Sequence, residues 1–246
     1  MSTMVVPQQT PMQAAQRMAA APMRDGFQFE ALHEFTDSQG KALHWRIRLK
    51  HPGTGDKWIR PMQRFGDGFK SGEPKYPDGK PLYRLLELAG QPDAVVVVTE
   101  GEYNADKLAA LGLLVTTSGA ADSAGKADWQ PLAGRNVLIW PDNDEAGQRY
   151  ADAVVAALTP KGCVVQVLDV AALGLQAKGD AATGWPNTLR QPRRTCWRWP
   201  ACMARHRAPK AMLQARRCRH PPCPQLRRQR PATRPTPAST AVANSC

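Results

Sequence analysis

Two short acidic runs carry the residue types and spacing that chemistry needs. Glu100-Gly101-Glu102 follows directly on the β-branched run Ala94-Val95-Val96-Val97-Val98-Thr99. Gly101 there permits a tight turn and a close approach of backbone to a ligand. Asp142-Asn143-Asp144 follows Val137-Leu138-Ile139-Trp140 through Pro141. In an extended segment residues i and i+2 point the same way, so Asp142 and Asp144 are able to converge on one cation. Such oxygen ligands suit Mg²⁺, or Mn²⁺ in its place, because Mg²⁺ keeps several waters and takes one or two carboxylates plus substrate phosphate. The competing reading of a lone Asp-x-Asp is a solvated turn that caps the following helix. Two acidic runs, each at the end of an apolar run, favour the metal.

The elements that must position these residues alternate along the chain. The Ala94–Thr99 run is continuously apolar, as expected of a strand buried on both faces of a parallel sheet. Ala105 to Leu111 reads as a helix, Leu113 to Thr117 and Val137 to Trp140 as strands, Ala146 to Leu158 as a helix and Cys163 to Leu168 as a strand, after a short helix at Leu85 to Leu88. This is an α/β pattern, a parallel sheet flanked by helices, in which ligands bind at the carboxyl ends of the strands. Upstream, Phe27-Phe29-Ala31 and Ala42-His44-Arg46-Arg48 alternate around Asp37-Ser38-Gln39-Gly40, a hairpin signal. With Lys57 to Arg60 they predict a small antiparallel β unit. The predicted organisation is a flexible leader over 1–26, with a short helix at Met12 to Ala21, the β unit over 27–84, the α/β domain over 85–182 and a tail over 183–246.

Charge and cysteine divide at the same place. Of the 246 residues, Met1 to Ala177 hold 18 Lys+Arg against 20 Asp+Glu, or −2, and Lys178 to Cys246 hold 15 against one, or +14. Cys163 stands apart from Cys196, Cys202, Cys218, Cys223 and Cys246, so a disulfide framework for the α/β domain is excluded and a reducing cytoplasm is expected. No run of 18 apolar residues is present, which predicts no membrane span.

The combined motifs resemble the Toprim domain, most closely that of phage- and plasmid-type DNA primases and primase-helicases. The resemblance rests on Val-Val-Val-Thr-Glu100-Gly101-Glu102, the loop Ser118-Gly119-Ala120-Ala121, Lys126-Ala127-Asp128-Trp129, Pro131-Leu132-Ala133-Gly134-Arg135 and Trp140-Pro141-Asp142-Asn143-Asp144-Glu145-Ala146-Gly147. It also takes in Pro81-Leu82-Tyr83-Arg84-Leu85. It implies Glu100 as general acid/base or metal-adjacent carboxylate, Asp142 and Asp144 as Mg²⁺ ligands, and Asp180 as a further acidic residue. Lys126, Gly101 and Ser118 would contact substrate, although a lone Lys126 also reads as a solvated charge. Arg46, Arg48, Lys50, Lys57 and Arg60 read as a template-binding surface or as an ordinary solvated sheet face. Glu102 and Asp106 read as lying near the metal, with Asp106 alternatively suiting the first turn of its helix, and Trp129 and Trp140 read as core rather than as base-stacking platforms.

The function expected from this resemblance is Mg²⁺-dependent phosphoryl transfer, RNA primer synthesis on single-stranded DNA from nucleoside triphosphates, with a replicative helicase as partner. The alternatives are a Mg²⁺-dependent nuclease and a non-catalytic nucleic-acid-binding fragment of a primase-helicase. Neither an N-terminal zinc module nor a GxxxxGK[ST] loop occurs, so a fragment without its own motor is expected. A topoisomerase is disfavoured, since Tyr103 and Tyr150 fall within the predicted core. The tail admits three readings, a basic nucleic-acid-binding segment, a zinc-binding Cys/His cluster or an out-of-frame translation, of which the last best suits the abrupt change after Ala182.

Overall fold

The computed structural model describes residues 9–170 and the backbone of Ala204–Arg205. Asp180 and the tail, apart from those two residues, lie outside the described residues. Helices α1 (Pro11–Met18) and α2 (Ala20–Arg24) precede four antiparallel strands, β1 (Gln28–Thr36), β2 (Ala42–Lys50), β3 (Lys57–Phe65) and β4 (Gly68–Ser71), joined in that order. The β1–β2 turn forms where Asp37 Oδ1 accepts the N–H groups of Gln39 and Lys41, the usual role of Asp in a turn. The segment expected as a flexible leader contains α1, capped by Thr10 and Gln13. Its Ala14 and Ala15, with Ala19, are buried against Trp45, Ile47, Leu49, Met62 and Phe69. Three alanines let the helix approach closely, which the polar composition of the segment concealed.

The second layer contains α3 (Leu85–Ala89), β5 (Val96–Thr99), α4 (Glu102–Ala109), β6 (Val115–Thr116), β7 (Asn136–Trp140), α5 (Glu145–Leu158) and β8 (Val164–Leu168). Its strands are parallel in the order β6-β5-β7-β8, and β9 (Ala204–Arg205) pairs antiparallel with β8. The central strands β5 and β7 are buried on both faces as their apolar runs predict, while β8 is only partly buried. Val96, Val98, Val137 and Ile139 pack with Tyr150, Val154 and Leu158 of α5, whereas Val97 and Leu138 pack with Ala105 and Leu108 of α4. From β5 the chain moves outward to β6, and from β7 it moves the opposite way to β8. The order therefore reverses between β5 and β7, and a crevice opens at their carboxyl ends, where open α/β sheets bind ligands. Among the described residues no helix is long and apolar enough to cross a membrane.

The two layers meet through a polar seam. Asp106 of α4 accepts from Tyr83 Oη at 3.3 Å and Arg84 Nη1 at 3.1 Å, and lies 2.9 Å from His33 Nδ1 of β1. Burial works to raise the Asp106 pKa, but these partners outweigh it and hold the carboxyl below its ordinary value. Nearby, His44 stacks on Phe35 at 4.2 Å and meets Tyr76 Oη at 2.6 Å, and burial lowers its pKa to about 4.

Candidate active site

The crevice is a cleft of ≈390 Å³ lined from the α/β layer by Glu100, Gly101, Glu102, Tyr103, Asn104, Ala120 and Asp142, and from the antiparallel sheet by Arg46, Arg48, Lys57, Ile59 and Pro61. Glu100 leaves the end of β5 into Gly101, whose φ of +78° is a backbone conformation that a side chain rarely adopts. Gly101 N–H donates to Gly119 O at 2.9 Å and to Thr117 Oγ1 at 3.2 Å, tying the two strand-end loops together. Burial raises the Glu100 pKa, the Asp144 carboxylate adds to the rise, and Lys57 and the Ala121 backbone N–H oppose it. Glu100 Oε2 is buried and meets no hydrogen-bond donor. An orphaned carboxylate oxygen at a strand end is what a cation would satisfy.

Asp142 and Asp144 part company. Asp142 lines the cleft and accepts from Asn104 Nδ2 at 3.3 Å, while the same amide donates to Glu100 O at 3.1 Å. Asn104, 6 % exposed, thus bridges the ends of β5 and β7. Asp144 is the N-cap of α5, its Oδ1 accepting Gly147 N–H at 2.8 Å. The helix-cap reading of the Asp-x-Asp run holds for Asp144, which also acts on Glu100 through space, whereas Asp142 is the aspartate that lines the cleft. Among the described residues no group of three His, Cys, Asp or Glu side chains is placed to hold a metal ion. Two carboxylates, one with an unsatisfied oxygen, still fit Mg²⁺, which completes its octahedron with water and substrate phosphate.

Gly147 fixes the Asp142 loop. A Cβ there would lie 2.2 Å from Asp142 O and 2.8 Å from Asp142 N, so α5 and the loop touch backbone to backbone. Gly147→Ala is expected to cost about 3 kcal/mol in urea unfolding. An unchanged midpoint would show that the loop moves freely.

The remaining expected residues fall in different places. Gly101 lines the cleft. Ser118 is 3 % exposed, its hydroxyl bonded to Ser123 Oγ at 2.9 Å and Tyr150 Oη at 3.0 Å, a scaffolding position. Lys126 does not line the cleft; its side chain is 64 % exposed and lies 3.6 Å from Asp122. Glu102 and Asp106 are both engaged in ion pairs, and Trp129 and Trp140 are core. Of the basic residues, Arg46, Arg48 and Lys57 face the cleft. Arg48 pairs with Glu30 and lies 4.7 Å over the Tyr103 ring.

Sequence reasoning missed Asn104; it placed Tyr150 in the core, as found, but also Tyr103, which instead lines the cleft. Tyr150 is buried at the centre of the α/β core, and its hydroxyl, besides meeting Ser118, donates to Thr99 O at 3.3 Å. The spacing of Asn104 four residues after Glu100 was the available signal, since i and i+4 meet across a first helical turn.

No family model matches the chain, and no curated protein matches it. Among solved structures the chain is similar to the primase fragment of the bacteriophage T7 primase-helicase protein, at 17% identity and a TM-score of 0.39, over 69% of this chain and 64% of that one. The chain thus spans less than two thirds of that fragment.

Proposed function

We propose that this chain is a Toprim-type, DNA primase-like nucleotidyltransferase acting in the cytoplasm, in the replication of a phage, plasmid or other mobile element. The observation that carries the reading is the placement of Glu100 and Asp142 on one cleft at the strand-order reversal, facing a basic wall from the antiparallel sheet. Glu100 and Asp142 would hold Mg²⁺, with Asp144 contributing negative field. Bound there, the ion would supply Lewis-acid neutralisation of nucleotide phosphate charge.

The chain's own side chains do the rest. Asn104 orients Asp142 against the end of β5. Lys57 offers positive charge to phosphate across the cleft, with Tyr103 and the Glu30-paired Arg48 beside it in the lining. Template and nucleoside triphosphate would both be polyanions drawn to this wall. A replicative helicase is the proposed protein partner.

Incorporation of labelled ribonucleotide on single-stranded DNA tests the reading. Product that needs Mg²⁺ and is lost in Asp142→Ala is the expected result. Absence of product with Mg²⁺-dependent cleavage of the DNA would replace it with a nuclease. Absence of both, with binding that survives EDTA, would leave a non-catalytic binding module.

A further inference from the structure

We propose that the odd-numbered face of β3 carries single-stranded nucleic acid outward from the cleft and ends in a stacking step made by Phe65 and Lys70. The inference rests on the nucleic-acid reading of the cleft and adds a surface to it.

β3 is regular along its whole length. It pairs without a register shift to β2, from Lys50↔Lys57 to Trp45↔Met62, and to β4, from Met62↔Ser71 to Phe65↔Gly68. Its side chains therefore alternate strictly between the two faces. Trp58 and Met62 belong to the core under α1, and Arg64 lies over the Trp45 and Phe69 rings on that same side. Lys57, Ile59 and Pro61 line the cleft, and the same face continues through Gln63 to Phe65. The distance from Lys57 to Phe65 is roughly 26 Å at about 3.3 Å per residue. Lys70 stands opposite Gln63 and so shares this face, with Nζ 4.1 Å from the centre of the Phe65 ring.

Three features point to the occupant. Phe65 is 64% exposed, more than any other large apolar side chain among the described residues, yet it sits on a two-residue hairpin turn at Gly66-Asp67 rather than in a core. The acids closest to the cleft wall are already engaged, Glu30 by Arg48, Glu102 by Arg46, and Glu73 by Arg46 and Lys80. Lys70 forms no ion pair among the described residues, while Lys57 faces Glu100 in the cleft and acts on its charge. An exposed ring beside an ammonium that forms no ion pair, in line with a basic cleft, matches a base stacking and a phosphate pairing. A single strand fits better than a duplex, whose base faces are already covered.

The test uses the full chain and an oligodeoxythymidine carrying 5-iodouracil, crosslinked by light and mapped by mass spectrometry. Mapping matters because the basic tail also attracts polyanion. A crosslink at Phe65 is expected, lost in Phe65→Ala, with the template KM for ribonucleotide incorporation raised roughly 5- to 100-fold and kcat retained. Phe65 is a surface residue, and matching circular dichroism would confirm that the variant folds. Crosslinks confined to other segments, or equal competition by duplex of the same sequence, would overturn the proposal. Crosslinking at Phe65 with no incorporation by wild type would keep this surface and remove the primase reading; incorporation with an unchanged template KM in Phe65→Ala would do the reverse.

Discussion

With divalent metal chelated, Glu100→Gln is expected to melt at a higher temperature than wild type at neutral pH, while its Mg²⁺-dependent ribonucleotide incorporation falls by at least ~10²-fold. The first half follows from burial. Desolvation, with Asp144 adding to it, raises the Glu100 pKa in the folded state. The folded protein then holds its proton more tightly than the unfolded chain does, so stability falls as pH rises from the ordinary carboxylate range through the raised value. The cost is fully present once pH is above the raised value, and a neutral amide removes it. The second half follows from the orphaned Oε2, which a cation needs and Gln does not replace. Thermal melts across pH in EDTA, then with Mg²⁺, separate the two. Mg²⁺ at about 100 times its Kd should stabilise wild type by ~2.7 kcal/mol and the variant by less. A variant that melts lower than wild type in EDTA at neutral pH would show that the carboxylate is well solvated.

Arg46→Met is expected to destabilise the fold by roughly 3–5 kcal/mol, because it strips a buried charge of its partner. Arg46 leaves the antiparallel sheet and donates to Glu102 Oε1 at 2.6 Å and Glu73 Oε1 at 2.7 Å, with side chains 13% exposed for Arg46 and 7% for Glu102. A Cβ on Gly119 would lie 2.9 Å from the Arg46 Nη1, so the missing side chain at Gly119 leaves the guanidinium its room. One side chain thus ties β2 to the start of α4 and to the loop beside Glu100. Chemical denaturation of Arg46→Met, Glu102→Leu and the double variant measures the coupling. The double variant should recover much of the loss, since matched apolar groups replace a buried pair at little cost. A single-variant loss below about 1 kcal/mol would mean that the pair behaves as a surface one.

Much of the architecture was legible in the sequence because periodicity is local. The unbroken Val95–Val98 run, the β-branched strands and the Asp37 turn each report on the backbone around them, and the α/β layer and the β1–β2 hairpin formed where expected. The edge strand shrank to Val115–Thr116, since it pairs on one side only with β5. The α1 helix docked where a leader was expected, because burial of Ala14, Ala15 and Ala19 depends on Trp45 and Phe69, far away in the chain.

For the site, local spacing located the acids but not their duties. Glu100 and Asp142 could be placed at strand ends from the sequence alone, since a strand and the turn after it are contiguous. The different placements of Asp142 and Asp144, the burial of Ser118 and the exposure of Lys126 depend on which neighbours the fold brings within hydrogen-bond reach. So does the pairing of Arg46 with Glu102, 56 residues apart. Such contacts are set by how two layers pack, and nothing in the local order of residues encodes their distance.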